Sequence, residues 1–252
     1  MPQRLGQHFL FQTSILERIA AAACPAREDL VIEIGPGKGA LTAKLLARAA
    51  RVIAIEVDRE LVDQLRARYA GEPRLEIVQA DVLQTDLAQW GAAPVVGNLP
   101  YYIATPIIGS VVRLAAPRAV FLIQKEVALR LVAKPGDRDY GYLTVRTALF
   151  ARARLLFDVK PGAFQPPPKV DSAVVLLEPS ERARALGIED PDKFVEFVGH
   201  CFRQKRKMLR NNLAPVYGRE VIEGWPEAAL RAETLSLESF AVMYRRLAGQ
   251  AD

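Results

Sequence analysis

The chain has 252 residues, half of them apolar and one quarter charged, so it can bury a full core and has neither the composition of a disordered segment nor that of a fibre. Its formal charge of +5 suits a polyanionic partner. Cys24, Cys201, His8 and His200 fall in no metal-ligand or CxxC spacing, which argues against a zinc site or disulfide framework. No apolar run reaches the roughly 18 residues of a membrane span, and the first ten residues lack a secretory core and cleavage site, so a cytosolic protein is expected.

In chain order, Ser14-Ile15-Leu16-Glu17 has capping-box spacing and opens an alanine-rich helix that runs to Cys24. The apolar run Leu30 to Ile34 stops at Gly35-Pro36-Gly37-Lys38-Gly39, and Ala40 to Ala50 reads as helix. The alternation repeats with strands at Val52 to Ile55, Leu75 to Val78, Pro94 to Val96 and Ala119 to Ile123, and with helices at Arg59 to Tyr69 and Lys125 to Val132. Near-continuous apolar strands separated by helices predict a parallel sheet covered on both faces, an α/β fold. After Leu149, Leu155 to Val159 and Ser172 to Leu177 read as two strands joined by the rigid Gln165-Pro166-Pro167-Pro168-Lys169 loop. Composition changes at Glu178-Pro179-Ser180, which sets the expected domains at 1–178 and 179–252. Beyond that point Phe194, Phe197, Val198, Cys201 and Phe202, then Leu237, Phe240 and Tyr244, recur at helical spacing, so the second domain is expected to be all helical.

Gly35-Pro36-Gly37-Lys38-Gly39-Ala40 satisfies the dinucleotide pattern G-x-G-x-x-[GA], with Glu56 at the end of the next strand where a ribose acceptor belongs. Two features depart from a dinucleotide site. Pro36 removes a backbone N–H from a loop that would point such groups at a pyrophosphate, and a further acid, Asp81, follows the third strand. S-adenosylmethionine suits this set: glycine backbone beside its methionine part, Glu56 on the ribose diol and Asp81 on the adenine amine. Each piece alone also fits a bland reading, a tight turn or a solvated acid. Their succession along one carboxyl edge is what favours a ligand site.

Gly97-Asn98-Leu99-Pro100-Tyr101-Tyr102 follows the fourth strand. An exocyclic adenine amine is planar and weakly nucleophilic. The Asn98 oxygen, with a backbone carbonyl of the Leu99-Pro100 segment, can accept both amine hydrogens and draw the nitrogen toward a tetrahedral shape. Tyr101 offers a flat face to a base taken out of its stack. As an isolated tetrapeptide, Asn-Leu-Pro-Tyr is equally a turn.

The combination of Leu5-Gly6-Gln7-His8-Phe9-Leu10, Glu33-Ile34-Gly35-Pro36-Gly37, Glu56-Val57-Asp58, Asn98-Leu99-Pro100-Tyr101, Gln124-Lys125-Glu126-Val127, the segment 166–175 and Gln204 to Asn211 resembles the ribosomal RNA adenine N6-dimethyltransferases, specifically the small-subunit dimethyladenosine transferases. The resemblance runs through nearly the whole chain. It implies a Rossmann-like class I methyltransferase sheet with a smaller all-helical C-terminal domain that binds RNA. It also implies donor contacts at His8, Leu10, Gly35, Glu56, Asp81 and Asn98, and an N-terminal segment folded over the donor as a lid, with simple packing the bland reading of Phe9 and Leu10. The catalytic set is read as Asn98, Pro100 and Tyr101, with Phe164 a candidate second aromatic contact to the base and equally a core phenylalanine that anchors a turn. Some members carry asparagine at the position of His8. Lys205 stands where arginine is common, which keeps the charge but not bidentate phosphate geometry.

Arg203, Lys205, Arg206, Lys207 and Arg210 crowd one short stretch without an acid, read as an amphipathic helix whose other face carries Cys201, Phe202, Met208 and Leu209. Such a run binds phosphates or is a solvated helix face. RNA contact is the favoured reading, and Arg4, Lys125 and Arg130 are candidates to extend it. The expected activity is N6,N6-dimethylation of two adjacent adenosines near the 3′ end of small-subunit ribosomal RNA, with S-adenosylmethionine as donor, the small ribosomal subunit as partner and a monomer when free. The alternatives are a non-catalytic ribosome assembly factor, a large-subunit methyltransferase of the antibiotic-resistance type, and a DNA adenine methyltransferase.

Overall fold

The computed structural model describes residues 8–114 and 116–249. Arg4 and the Leu5-Gly6-Gln7 part of the first motif lie outside them. The described chain divides into two compact units, one running to Ala128 and including Ala153–Pro179, the other formed by Leu129–Arg152 and the residues from Ser180 onward. A single cut at 178/179 therefore misplaces the segment 129–152, which groups with the C-terminal helices.

The elements in order are β1 (Phe9–Leu10), α1 (Thr13–Ala23), β2 (Glu28–Ile34), α2 (Ala40–Leu46), β3 (Ala49–Glu56), α3 (Arg59–Arg68) and β4 (Leu75–Gln79). There follow β5 (Val95–Asn98), α4 (Ala104–Val111), β6 (Ala119–Gln124), α5 (Lys125–Val132), α6 (Tyr142–Phe150), β7 (Ala151–Val159), β8 (Phe164–Gln165) and β9 (Ser172–Pro179). The C-terminal elements are α7 (Arg182–Ala185), α8 (Pro191–Cys201), α9 (Leu209–Tyr217), α10 (Arg219–Glu223) and α11 (Leu237–Leu247).

Seven strands form one sheet in the order β4-β3-β2-β5-β6-β9-β7. The five strands from β4 to β6 pair in parallel, while β9 runs antiparallel to β6. The chain lays β3 and β4 on one side of β2, then returns to place β5 on the other side. That reversal opens a crevice at the carboxyl ends of β2 and β5, the place where open α/β sheets bind ligands. The period-two alternation of the strands sends Val31, Val52, Val96, Val120 and Val174 into one buried layer with Ile15, Ile19, Leu41 and Leu45 of α1 and α2. Gly97 is required where β5 meets β2, because a Cβ there would stand 2.5 Å from the Ile34 carbonyl oxygen.

Several expected boundaries shift for identifiable reasons. Helix α1 is preceded by Gln12 with no side-chain cap, so Ser14 sits inside the first turn and does not cap it. Helix α2 ends at Leu46 and β3 begins at Ala49, because Glu28 of β2 pairs with Ala49 and draws the alanine-rich segment into the sheet. The loop between β7 and β9 is interrupted by β8, which pairs antiparallel with β1 as a separate two-stranded sheet. Helix α6 gave no sequence signal, and its apolar face is defined by packing against α8 and α11, remote in the chain.

In the second unit, Phe194, Phe197, Val198 and Cys201 of α8 are buried with Leu209, Leu213, Phe240 and Met243. Tyr140 donates to the Leu235 carbonyl at 2.6 Å and ties the 129–152 segment into this core. Both cysteines are free and buried, and among the described residues no helix is long and apolar enough to cross a membrane.

Candidate active site

At the reversal between β2 and β5 lies a cavity of about 250 Å³, lined by β1, the glycine loop after β2, the end of β3 and the 98–102 segment. Of the expected donor residues, His8, Leu10, Gly35, Glu56 and Asn98 all border it. Asp81 does not. It stands past the end of β4, with one carboxylate oxygen accepting from Leu83 N at 2.9 Å and the other from Gln84 Nε2 at 3.0 Å.

Glu56 is 5 % exposed and is held by the backbone at both oxygens. Its Oε1 accepts from Val57 N at 3.0 Å and Asp58 N at 3.1 Å, and its Oε2 accepts from Gly37 N at 3.2 Å. Burial raises its pKa, and these three bonds to the charged form oppose the rise. Asp58, the third residue of the Glu56-Val57-Asp58 motif, is structural: it caps α3 through Glu60 N and Leu61 N.

Glu33 also borders the cavity and was given no role by sequence reasoning. It is 1 % exposed and, among the described residues, accepts from the Thr42 hydroxyl at 2.6 Å. Burial pushes its pKa up to about 8, the Thr42 bond opposes that rise, and the Glu56 carboxylate adds to it. The signal was there to read: one carboxylate inside the apolar run Leu30 to Ile34, where a strand buried on both faces leaves it no solvent.

The glycine loop is shaped by close approach. Gly37 has φ +56°, and a Cβ there would stand 3.1 Å from the ring of Phe9, which lies over the loop. Lys38 Nζ sits 4.7 Å from the centre of the same ring. β1 is thus fastened across the cavity at one side by Phe9 and at the other by its pairing with β8.

On the acceptor side, Asn98 ends β5 and donates from Nδ2 to the His8 carbonyl at 2.9 Å. A carbonyl carries no proton, so the amide nitrogen must face it and Oδ1 remains an acceptor. The loop that follows is fixed by Leu99 N donating to Leu122 O at 3.0 Å and Ile103 N donating to Pro100 O at 3.1 Å. Pro100 and Tyr101 line the cavity, and the Tyr101 ring lies 5.7 Å from that of His8, whose Nδ1 is 2.8 Å from Pro166 O.

Phe164 is not on the wall. It is 2 % exposed within the sheet and helix core, opposite Leu10 in the β1 pairing, and strand alternation turns its neighbour Gln165 to the cavity instead. It supports the site from beneath.

The basic stretch of the second unit is not one helix: Arg203 to Lys207 lie outside any helix, and Arg210 falls in the first turn of α9. Residues 202–207 form turns between α8 and α9, and Met208 is 39 % exposed, not packed. Buried Asn212 holds the turn, donating from Nδ2 to Cys201 O at 2.8 Å and Gln204 O at 3.3 Å and accepting at Oδ1 from Gln204 N at 3.2 Å. Arg203, Arg206, Lys207 and Arg210 are exposed. Lys205 is turned back onto its own unit, donating to Arg138 O at 2.6 Å. In the first unit Lys125 is likewise engaged, by Asp158 at 2.5 Å.

With this geometry in hand, comparison with known proteins is specific. The family model described as ribosomal RNA adenine dimethylase matches residues 2–248. The ribosomal RNA small subunit methyltransferase A of Acidobacterium capsulatum is 44% identical over 97% of this chain and 90% of its own length, and that of Gloeobacter violaceus is 42% identical over 98% and 93%. Among solved structures, a dimethyladenosine transferase from Plasmodium falciparum superposes with TM-score 0.80 at 29% identity, covering 96% of this chain and 98% of that one. The 23S rRNA methyltransferase ErmE gives 0.69 at 27% identity over 95% and 99%. The chain belongs to the ribosomal RNA adenine dimethylase family.

Proposed function

We propose that this protein transfers methyl groups from S-adenosylmethionine to N6 of two adjacent adenosines near the 3′ end of small-subunit (16S) ribosomal RNA, giving N6,N6-dimethyladenosine during small-subunit biogenesis. It acts in the cytosol, as a monomer when free, on the small ribosomal subunit. The small-subunit methyltransferase relatives support the choice of RNA. The observation that carries the chemistry is the fixed Asn98 amide, with Oδ1 left as an acceptor at the meeting of the cavity and Tyr101.

The cavity suits a sulfonium donor better than a dinucleotide. Pro36 has no N–H, and Gly37 N is already bound to the Glu56 carboxylate, so the loop has little left to offer a pyrophosphate. The Glu56 carboxylate faces this space and disfavours phosphate while suiting a cation, and Glu33, which holds its proton more tightly than an ordinary carboxyl, offers a hydrogen-bonding group beside it. Bound there, S-adenosylmethionine supplies the methyl group as an electrophile. Glu56 would hold the ribose diol, the glycine backbone would lie along the methionine part, and Asp81 would serve the adenine amine from the end of β4.

Tyr101 stacks on the flipped target base, an interaction worth about 1 to 3 kcal/mol. Asn98 Oδ1 and a main-chain carbonyl of the Leu99-Pro100 segment accept the two amine hydrogens, which frees the nitrogen lone pair from the ring and aims it along the transfer line. Pro100 fixes the turn that presents them. The exposed Arg203, Arg206, Lys207 and Arg210 contact RNA phosphates, and Lys205 braces the turn that carries them.

The test is incubation with S-adenosylmethionine and separated ribosomal subunits, followed by mass analysis of the RNA. The expected product is dimethyladenosine in small-subunit RNA alone. Methylation confined to large-subunit RNA would overturn the substrate assignment.

A further inference from the structure

The first residue of the strand that follows the proline-rich segment touches the acceptor site directly. Ser172 opens β9, is fully buried, and pairs with Gln124 of β6. Its Oγ lies 2.5 Å from the hydroxyl oxygen of Tyr101. Tyr101 is half-buried, and burial raises its pKa, so the phenol keeps its proton and this contact joins two neutral hydroxyls.

A tyrosine ring used as a stacking platform must hold its plane. The Cα end of Tyr101 is set by the Pro100 turn, where Ile103 N donates to Pro100 O. The far end of the ring has no other hydroxyl partner among the described residues, and without one it can swing about its side-chain torsions. Ser172 is the fixed partner, because its backbone is held in the β6 pairing and its side chain is fully buried. A two-point hold on the ring is the result.

We infer that Ser172 is a positioning residue of the acceptor site: through its hydroxyl it fixes the plane of Tyr101 against which the target adenine stacks. This rests on the proposed reading of Tyr101 as the base platform. The same pair does not carry away the proton released after methyl transfer, since Ser172 is shut off from solvent and the path would lead inward.

The experiment compares Ser172→Ala, Tyr101→Phe, the double variant and Ser172→Thr in single-turnover methylation, alongside S-adenosylhomocysteine binding by calorimetry. Losing one neutral hydrogen bond should slow methyl transfer about fivefold in each single variant. The double variant should be no slower than either single one, because both remove the same bond. Ser172→Thr keeps a hydroxyl and should recover part of the rate. Donor affinity should stay unchanged. RNA carrying 2-aminopurine at the target position should show weaker fluorescence quenching with Ser172→Ala, reporting poorer stacking. Additive losses in the double variant, or a fall in donor affinity that matches the fall in rate, would overturn the inference. Tyr101→Ala separates the two levels of the claim. If it is inactive while Ser172→Ala and Tyr101→Phe are fully active, the anchoring role fails and the platform stands; if Tyr101→Ala is itself fully active, the platform reading fails and the anchoring role fails with it.

Discussion

The cavity of the first unit and the basic turn of the second assemble polar groups in opposite ways. In the cavity the central polar side chains are withdrawn from solvent and already held, buried Glu56 by three backbone N–H groups, buried Glu33 by Thr42 and half-buried Asn98 by the His8 carbonyl. At the turn buried Asn212 of α9 shapes the backbone, while Arg203, Arg206 and Lys207, with Arg210 at the start of α9, are exposed to solvent. Preorganised groups in a low-dielectric site act steeply and locally, since each has one geometry and no water to replace it. Exposed cations act by number and are screened by salt. The contrast predicts large single-residue effects in the first region and graded ones in the second.

The largest effect is expected at Asn98. Asn98→Ala should lower single-turnover methylation about 100-fold to 1,000-fold, the range for removing one preorganised polar group at a reacting centre. RNA affinity, measured by filter binding, should persist. If the variant methylates normally, the protein's chemistry is not located at the end of β5.

Glu33 gives the next effect, on stability. Its pKa in the folded protein is raised to about 8 from an ordinary 4.5, so the folded state holds this proton more tightly than the unfolded one. The contribution is fully present below the unfolded value and is lost as pH rises through the folded one. The melting temperature of the ligand-free protein should therefore contain a fall between about pH 5 and pH 8.5 that Glu33→Gln removes. Parallel melting curves for the two proteins across that window would show that Glu33 is solvated after all.

The smallest effects belong to the turn. Arg206→Ala or Lys207→Ala should weaken RNA binding uniformly across sequences and reduce the slope of log affinity against log salt by about 1. Lys205→Ala should change the slope less, because its ammonium is engaged by Arg138 O and lies 3.7 Å from Glu233. An equal loss from Lys205 and Lys207 would dissolve the distinction between bracing and contacting cations.

Most of the α/β half was legible because its strands announce themselves locally, as short apolar runs ended by a glycine or a polar residue. The glycine loop, Glu56 and Asn98 were found by their place after successive strands. Phe164 could not be placed that way, since a two-residue strand is too short to show which of its neighbours faces inward. Helix α6 and the non-helical basic turn were missed for a related reason: the first takes its apolar face from α8 and α11, and the second is bent by Asn212 from the following helix.

By itself the sequence determined most strands of the sheet, the residues at its carboxyl edge and the chemistry they carry, because backbone propensity, hydrophobic period and side-chain type are local properties. The tertiary structure alone decided which groups meet. It brought Glu33 beside Glu56, turned the Asn98 amide by means of residue 8, set Ser172 against Tyr101 and withdrew Lys205 from the free cations. Each of those pairings joins segments far apart in the chain, and only the register of a folded sheet and the packing of a helical core bring such segments within hydrogen-bonding distance.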